Sequence, residues 1–424
     1  MATSIKKIVA ASLIGTTIEW YDFFLYGSAA ALVFNKLFFP ESDPLTGTLL
    51  AFLTYAVGFV ARPLGGLIFG HFGDKIGRKT LLVVSLLLMG AATFLIGCLP
   101  TYETLGPAAA LLLTALRLVQ GFALGGEWGG AVLIVSEHGD NARRGFWASW
   151  PQAGAPGGNL LATGVLAALA AWQSEEAFLS WGWRVPFLLS GVLVLIGLWI
   201  RLTITESPVF QQAPPEERAP IVGVLRYHSK DVVIAIGARL AENISFYLLT
   251  VFVITYATTN DIPNSTVLNA VLIASAIHFA TIPMWGALSD RIGRRPIYLA
   301  GAAGIGVWIF AFFPLVDTGN FLAITLAVTV GLLFHGMMYG PQAAFFSELF
   351  GTRMRYTGVS IGAQLSAIVA GALAPVIAVA LLRSYGSSVP ISIYLGLAAV
   401  LTLAAVYAAR ETQGRDLAER TPAR

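Results

Sequence analysis

The chain has 424 residues, 56% hydrophobic and only 12% charged, with a mean hydropathy of +0.74. That charged fraction is about half that of a soluble domain, so a water-soluble enzyme is excluded and a membrane protein expected. A formal net charge of +3 is too small and scattered for a nucleic-acid-binding face, and Cys98, the one cysteine, excludes a disulfide framework or a zinc cluster.

A membrane-crossing helix needs about 20 mostly apolar residues. The first such run, 8–34, follows Lys6 and Lys7. It is too long for a cleaved signal peptide and contains Glu19 and Asp22, so it reads as a retained first helix. Further runs follow at 46–72, 80–99, 107–136, 145–172, 182–203, 231–257, 266–289, 296–315, 321–349, 356–382 and 389–409. Twelve long apolar runs predict an all-α membrane fold, since barrel strands are about ten residues long and alternate. The stretch 205–230, TESPVFQQAPPEERAPIVGVLRYHSK, is polar and proline-rich. It divides a first six-helix unit, 1–204, from a second, 231–424.

With the N-terminus inside, one side collects Lys75, Arg78, Lys79, Arg143, Arg144, Arg294, Arg295, Arg353 and Arg355 among others, against Lys36 and Arg383 in the loops opposite. The positive-inside rule therefore puts both termini in the cytoplasm of a bacterial cell, with the chain in its cytoplasmic membrane. The two halves also repeat. GHFGDKIGRK (70–79) ends the second helix and GALSDRIGRR (286–295) ends the eighth, with 216 residues between Asp74 and Asp290; SEHGDNARRG (136–145) resembles SELFGTRMRYTG (347–358). Parallel repeats of six helices are the layout of large two-bundle transporters.

Ionisable side chains at mid-bilayer cost about 2.5–3.5 kcal/mol on insertion scales, so each needs a reason. At about 1.5 Å per residue, Glu19 and Asp22 lie roughly 16 and 21 Å into their helix, on one face, with Tyr26 a turn beyond. Two acids this close in low dielectric do not both ionise freely, which suits one of them to load and release a proton near neutral pH. Either is alternatively a salt-bridge partner for a buried arginine. Arg62 and Arg117 keep their charge, so each must meet a carboxylate or an anionic substrate. Gln120 lies a turn from Arg117. Glu127, in GGEWGG, reads equally as a second proton carrier or as a gate in the inner vestibule. Arg239 and Glu242, three apart in the seventh helix, are placed to satisfy each other, though either can face a substrate. PQAGAPGGN (151–159) has the glycine and proline content of a bent helix at a binding site or a hinge, with Gln152 and Asn159 on one face. His278 and His335 read as lone interhelical hydrogen-bonders.

The doubled G-x-x-x-D-[KR]-x-G-R-[KR] loop and RLVQG (117–121) resemble the two signatures of the major facilitator superfamily. More narrowly, IEWYDFFLYG, ARPLGGLIFGHFGDKIGRK, RLVQGFALGGEWGG and WGWRVPF resemble its metabolite:proton symporter family, over nearly the whole chain. That family carries shikimate, α-ketoglutarate, citrate, proline and betaine. The resemblance implies two six-helix bundles rocking about a midplane site, driven by a proton gradient without a cofactor, in a chain acting as a monomer. It also implies a role for Arg117 in organising the proton site or substrate. Gly70, Asp74, Gly77 and Arg78, with Asp290, Gly293 and Arg294 in the second half, would form a cytoplasmic latch that breaks when the inner gate opens. The expected function is proton symport of a small mono- or dicarboxylate. A zwitterionic osmoprotectant carrier is the alternative, disfavoured by a short polar tail without heptads, and a drug antiporter ranks third. No Walker loop, HExxH or nucleophile elbow points to an ATP-driven pump or an enzyme.

Overall fold

The computed structural model describes residues 5–76, 78–125, 135–136, 141–203, 229–349 and 362–415. Among these there is no strand. Twelve long helices account for the described chain, in close register with the twelve apolar runs: α1 Ile5–Leu37, α2 Pro44–Ile76, α3 Arg78–Cys98, α4 Pro107–Leu124, α5 Arg144–Trp172, α6 Arg184–Thr203, α7 Ser229–Thr259, α8 Asn264–Ile292, α9 Arg294–Asp317, α10 Phe321–Leu349, α11 Gly362–Tyr385 and α12 Val389–Ala408. The outer surface is apolar: Leu111, Trp199, Val307, Leu322 and Leu401 are all exposed. The charges, by contrast, are inside. Glu19, Asp22, Arg62, Arg117, Arg239 and Glu242 are all buried. This inverted distribution is that of a multi-span membrane protein, because lipid accepts apolar side chains and a charge must find its partner in the bundle.

In the first half α2 packs on α4, α3 on α4 and α6, and α1 on α5 and α6; in the second, α8 and α9 pack on α10, and α7 and α9 on α12. The halves meet where α5 lies along α8 and α10, and where α2 meets α11. The repeat shows in the backbone as well. Each half's first helix widens into a π turn, Ala30–Phe34 in α1 and Leu248–Phe252 in α7. Such turns are uncommon and concentrate at functional sites.

Small residues decide how closely the helices approach. A Cβ on Gly121 would fall inside the Gly58 carbonyl group, and one on Gly125 inside that of Arg62, so α2 and α4 touch backbone to backbone. The glycines of PQAGAPGGN serve a similar contact. A Cβ on Gly154 would lie 2.7 Å from Thr16 Cβ, and one on Gly158 2.5 Å from the Tyr21 nitrogen. The bend expected in this segment does not break the helix: α5 continues through Pro151 and Pro156, and its glycines admit α1.

Gly121→Ala should therefore overpack the α2–α4 contact by about 1–3 kcal/mol and lower the thermal midpoint of detergent-purified protein. Gly396→Ala, whose new methyl would meet the Phe310 ring at an ordinary 3.6 Å, should leave the midpoint unchanged or raise it.

Candidate functional site

A cavity lies where the halves meet. Glu19 and Trp20 of α1, Arg62 of α2 and Gln152 of α5 line it from one side; Arg239, Asn243 and Tyr247 of α7 and Gln364 of α11 line it from the other. Its volume is about 40 Å³, far below the roughly 300 Å³ and more of a drug-sized pocket. Admitting a ligand of that size requires the helices to part. Arg62 is buried with its guanidinium over the rings of Phe59 (4.2 Å) and Phe23 (4.5 Å). Its Nε and Nη2 find no acceptor within the protein.

Behind the cavity the first half holds a second polar layer. Asp22 is 1% exposed and accepts a hydrogen bond from Ser190 Oγ of α6 at 2.6 Å. Arg117 donates to Gln120 Oε1 (3.0 Å) and Gln120 donates to Thr93 Oγ1 (2.7 Å). The Thr93 hydroxyl donates in turn to the Met89 carbonyl at 3.0 Å, so this run of bonds starts at Arg117 and ends in α3. The Arg117 guanidinium also sits 4.6 Å from the ring centroids of Phe23, Tyr26 and Tyr55, a desolvated cation–π cage. Gly58 makes room for it: a Cβ there would lie 2.6 Å from Arg117 Nε. Three members of RLVQG thus have a physical task, Arg117 as the caged cation, Gln120 as its partner and Gly121 as the close contact.

The second half carries its own buried cluster. Glu242 lies 3.4 Å from Arg239 Nε and 3.3 Å from His335 Nε2, and it accepts from Gln342 and Asn243. His335 Nδ1 is 3.0 Å from His278 Nε2. Glu242 and His335 line a small lobe that shares Trp20, Arg239, Asn243 and Tyr247 with the main cavity.

The Arg-rich end is closed by charge. Asp290, at the end of α8, accepts from the backbone amides of Gly145 (2.8 Å) and Phe146 (2.9 Å), at the N-terminus of α5 in the other half. The helix dipole favours a carboxylate there. Arg294 holds Asp290 at 2.7 Å and Glu348 at 3.2 Å, and Arg144 meets Glu348 at 2.8 Å with both side chains fully buried. Gly293, at φ 112°, makes the turn between α8 and α9 that brings Arg294 back onto Asp290. The segment after α12 closes over this cluster. Thr412 and Arg415 both bond Glu348, and Gln413 bonds the Asp290 carbonyl. At the opposite end Arg383 and Asp43 face each other at 3.5 Å, largely exposed.

The sequence-predicted residues therefore fall into three places. Glu19, Arg62, Gln152, Arg239 and Glu242 face the cavity or its lobe. Asp22, Arg117, Gln120 and Tyr26 stand behind it, with Tyr26 bonded to Thr54 at 2.7 Å. Asp22 and Glu19 do not share one cavity wall as their spacing suggested: Asp22 turns to α6. Asn159 is on neither layer, because it donates to Ser275 of α8 at 2.8 Å and ties the halves together. Glu127 and Gly77 lie outside the described residues, as do the side chains of Asp74 and Arg78 and the surroundings of Gly70. Asn243, Gln364, Ser190 and Thr93 escaped the sequence reading, since single polar residues on apolar helices carry no spacing signal. Arg144 and Glu348 were visible only as parts of a repeated loop.

Comparison with known proteins bears on this geometry. The Major Facilitator Superfamily model matches residues 12–375. The inner membrane metabolite transport protein YhjE of Escherichia coli (strain K12) is 41% identical over 97% of this chain and 96% of its own length. The shikimate transporter of the same organism is 41% identical over 92% and 91%. A crystal structure of the D-xylose-proton symporter superposes with a TM-score of 0.79, at 16% identity, over 97% of this chain and 100% of that one, a likeness of fold.

Two outcomes follow from the closed end. Glu348→Gln leaves two buried arginines short of a counter-charge, a loss of about 3–5 kcal/mol to the closed arrangement. In a Cys98→Ser background, maleimide labelling of Ser149→Cys, a fully buried position beside Gly286, should speed up in that variant. Glu411 offers a pH test. Burial would raise its carboxyl, but backbone amides of Arg294, Gln413, Arg295 and Thr412 outweigh this and hold it below the usual range. Its contribution is present above the ordinary value of about 4.3 and is lost as pH falls through the lowered folded value. The acid-side fall in thermal midpoint should be shallower in Glu411→Gln.

Proposed function

Because this chain belongs to the Major Facilitator Superfamily and is a transporter, we propose that it carries a small organic acid together with protons by alternating access. The observation that carries this reading is the pair of arginines, Arg62 from one half and Arg239 from the other, on a single cavity. A guanidinium keeps its charge at any working pH, and a planar fork matches a carboxylate. Arg62 in particular retains two buried N–H groups without an acceptor in the protein, a costly arrangement that a bound carboxylate relieves. The likeness to a shikimate transporter supports the same chemistry. Gln152, Asn243, Gln364 and Tyr247 supply neutral hydrogen bonds around the rest of the molecule.

The proton is assigned to the acids of α1. Glu19 faces the cavity beside Arg62, and Asp22 stands one layer behind, where Ser190 holds it. Taking up a proton there changes the charge balance around both arginines, which couples proton and substrate. Residues 1–204 and 231–424 are the units that rock, with 205–230 as their link. By the positive-inside rule the Arg-rich end is cytoplasmic. Its opening requires Asp290 to leave the α5 amides and Glu348 to leave Arg144.

Vesicle uptake of radiolabelled shikimate, α-ketoglutarate, citrate, proline and betaine, with and without an imposed pH gradient, tests the reading. An acid should accumulate against its gradient, and a protonophore should abolish accumulation. Arg62→Gln should raise the half-saturating concentration by about 10–100-fold, the equivalent of a charge-assisted hydrogen bond of about 1.5–3 kcal/mol. Asp22→Asn should abolish uphill uptake and leave exchange of labelled for unlabelled acid. Accumulation of betaine or proline with none of the acids would overturn the substrate class, and gradient-independent uptake would overturn the coupling.

A further inference from the structure

Glu242, His335 and His278 form a continuous chain across three helices of the second half. Glu242 Oε1 to His335 Nε2 is 3.3 Å, and His335 Nδ1 to His278 Nε2 is 3.0 Å. The exposures are 4%, 1% and 1%. Packing fixes the rings. Phe246 lies 4.8 Å from His335 and 5.8 Å from His278, and Tyr339 lies 5.2 Å from His335. Gly336 lets α10 close down on α8, since a Cβ there would lie 3.4 Å from His278 Cδ2 and 3.0 Å from Trp285. One end of the chain, Glu242 with His335, opens on the cavity lobe. The other end, His278 Nδ1, is buried and has no partner in the protein.

We propose that this chain is a proton relay, with His278 Nδ1 as its entry and Glu242 as its terminus, so that the second half carries a proton-handling site of its own. The inference deepens the proton-coupled reading above and rests on it. A neutral imidazole has one donor and one acceptor nitrogen. With Glu242 ionised, His335 Nε2–H donates to Glu242, His335 Nδ1 accepts from His278 Nε2–H, and His278 Nδ1 is a bare acceptor. A proton arriving at His278 Nδ1 forms a new N–H bond there. His278 Nε2 passes its proton to His335 Nδ1, and His335 Nε2 passes its proton to Glu242. Three N–H or O–H bonds form and two N–H bonds break. The net change is one proton gained and one carboxylate neutralised, and both imidazoles end neutral with their donors reversed.

The charged and titratable groups around the chain give this step a consequence. Arg239 and Tyr247 share α7 with Glu242, Tyr339 shares α10 with His335, and Tyr298 of α9 reaches Glu242 through Gln342. Across the cavity stand Glu19 and Arg62. Glu242 lies 3.4 Å from Arg239. Once Glu242 is neutral, Arg239, on the cavity wall, is no longer matched by that carboxylate. Proton arrival at the terminus thus strengthens the pull on an anion at the face where the anion must bind.

The test uses the full-length purified protein and needs no substrate. Time-resolved infrared spectroscopy after a downward pH jump follows the protonated-carboxyl band, assigned to Glu242 by its absence in Glu242→Gln. In His278→Gln and His335→Gln the band should appear about 100-fold more slowly, the low end of what a positioned proton carrier contributes. His278→Gln decides alone if His335→Gln does not fold, because its side chain sits at the outer end of the chain. A rate within twofold of the unmodified protein in His278→Gln would overturn the proposal, since the proton would then reach Glu242 from the cavity. Absence of any Glu242-assigned band would overturn it as well. Failure of the uptake panel in the unmodified protein would instead strike the proton-coupled reading, whatever the band shows.

Discussion

An arginine inside a membrane bundle cannot discard its charge. Burying it unpaired costs several kcal/mol even after relaxation, and most of the interior of this chain is arranged around three such residues. Arg117 is met by three aromatic rings and by a chain of side chains leading to Thr93. Arg239 is met by Glu242. Arg62 is given ring faces while part of its hydrogen-bonding capacity is left for the cavity. The gradation is physical. Arg117, behind the cavity, is enclosed by rings, whereas Arg62, on the cavity wall, keeps capacity for a ligand.

The same constraint explains the close helix contacts. Cation–π and charge-assisted bonds work at full strength only where water is excluded, and exclusion here depends on backbones that touch. Gly58 gives its side-chain space to Arg117, and Gly121 lets α4 come close enough to α2 for Arg117 to lie in it. Replacing either changes the electrostatics of the interior through packing alone. The Arg-rich end uses a different device, a carboxylate on helix amides. That bond is made with groups which water can satisfy once the helices part, as suits a contact that breaks in the proposed cycle.

Much of the fold was legible in the chain. Long apolar runs set helix number and position to within a few residues, and the repeat at Asp74 and Asp290 pointed to paired six-helix bundles. Asp290 and Arg294, read as part of a latch, lie where α8 meets the start of α5. The site was read less completely. Helical spacing says which residues share a face but not what that face meets, so Asp22 and Glu19 were placed together although one turns to α6 and the other to the cavity. The glycines of PQAGAPGGN looked like a hinge because a glycine that admits a neighbour and a glycine that permits bending are identical in sequence. His278 and His335 looked solitary because 57 residues separate them, and only packing of α8 on α10 brings their rings to 4.9 Å.

Counting the buried charges near the join of the halves gives a last consequence. Among the described residues of α1, α2, α4 and α7, Glu19, Asp22 and Glu242 oppose Arg62, Arg117 and Arg239, so with all three acids ionised these charges sum to zero. Were a singly charged acid anion to bind together with one proton, the sum would be zero again. A membrane voltage does work only on net charge that moves through the field, about 2.3 kcal/mol per elementary charge per 100 mV. With that stoichiometry neither the loaded nor the empty crossing carries net charge. The carrier is then electroneutral, its accumulation set by the difference in pH across the membrane and indifferent to the potential.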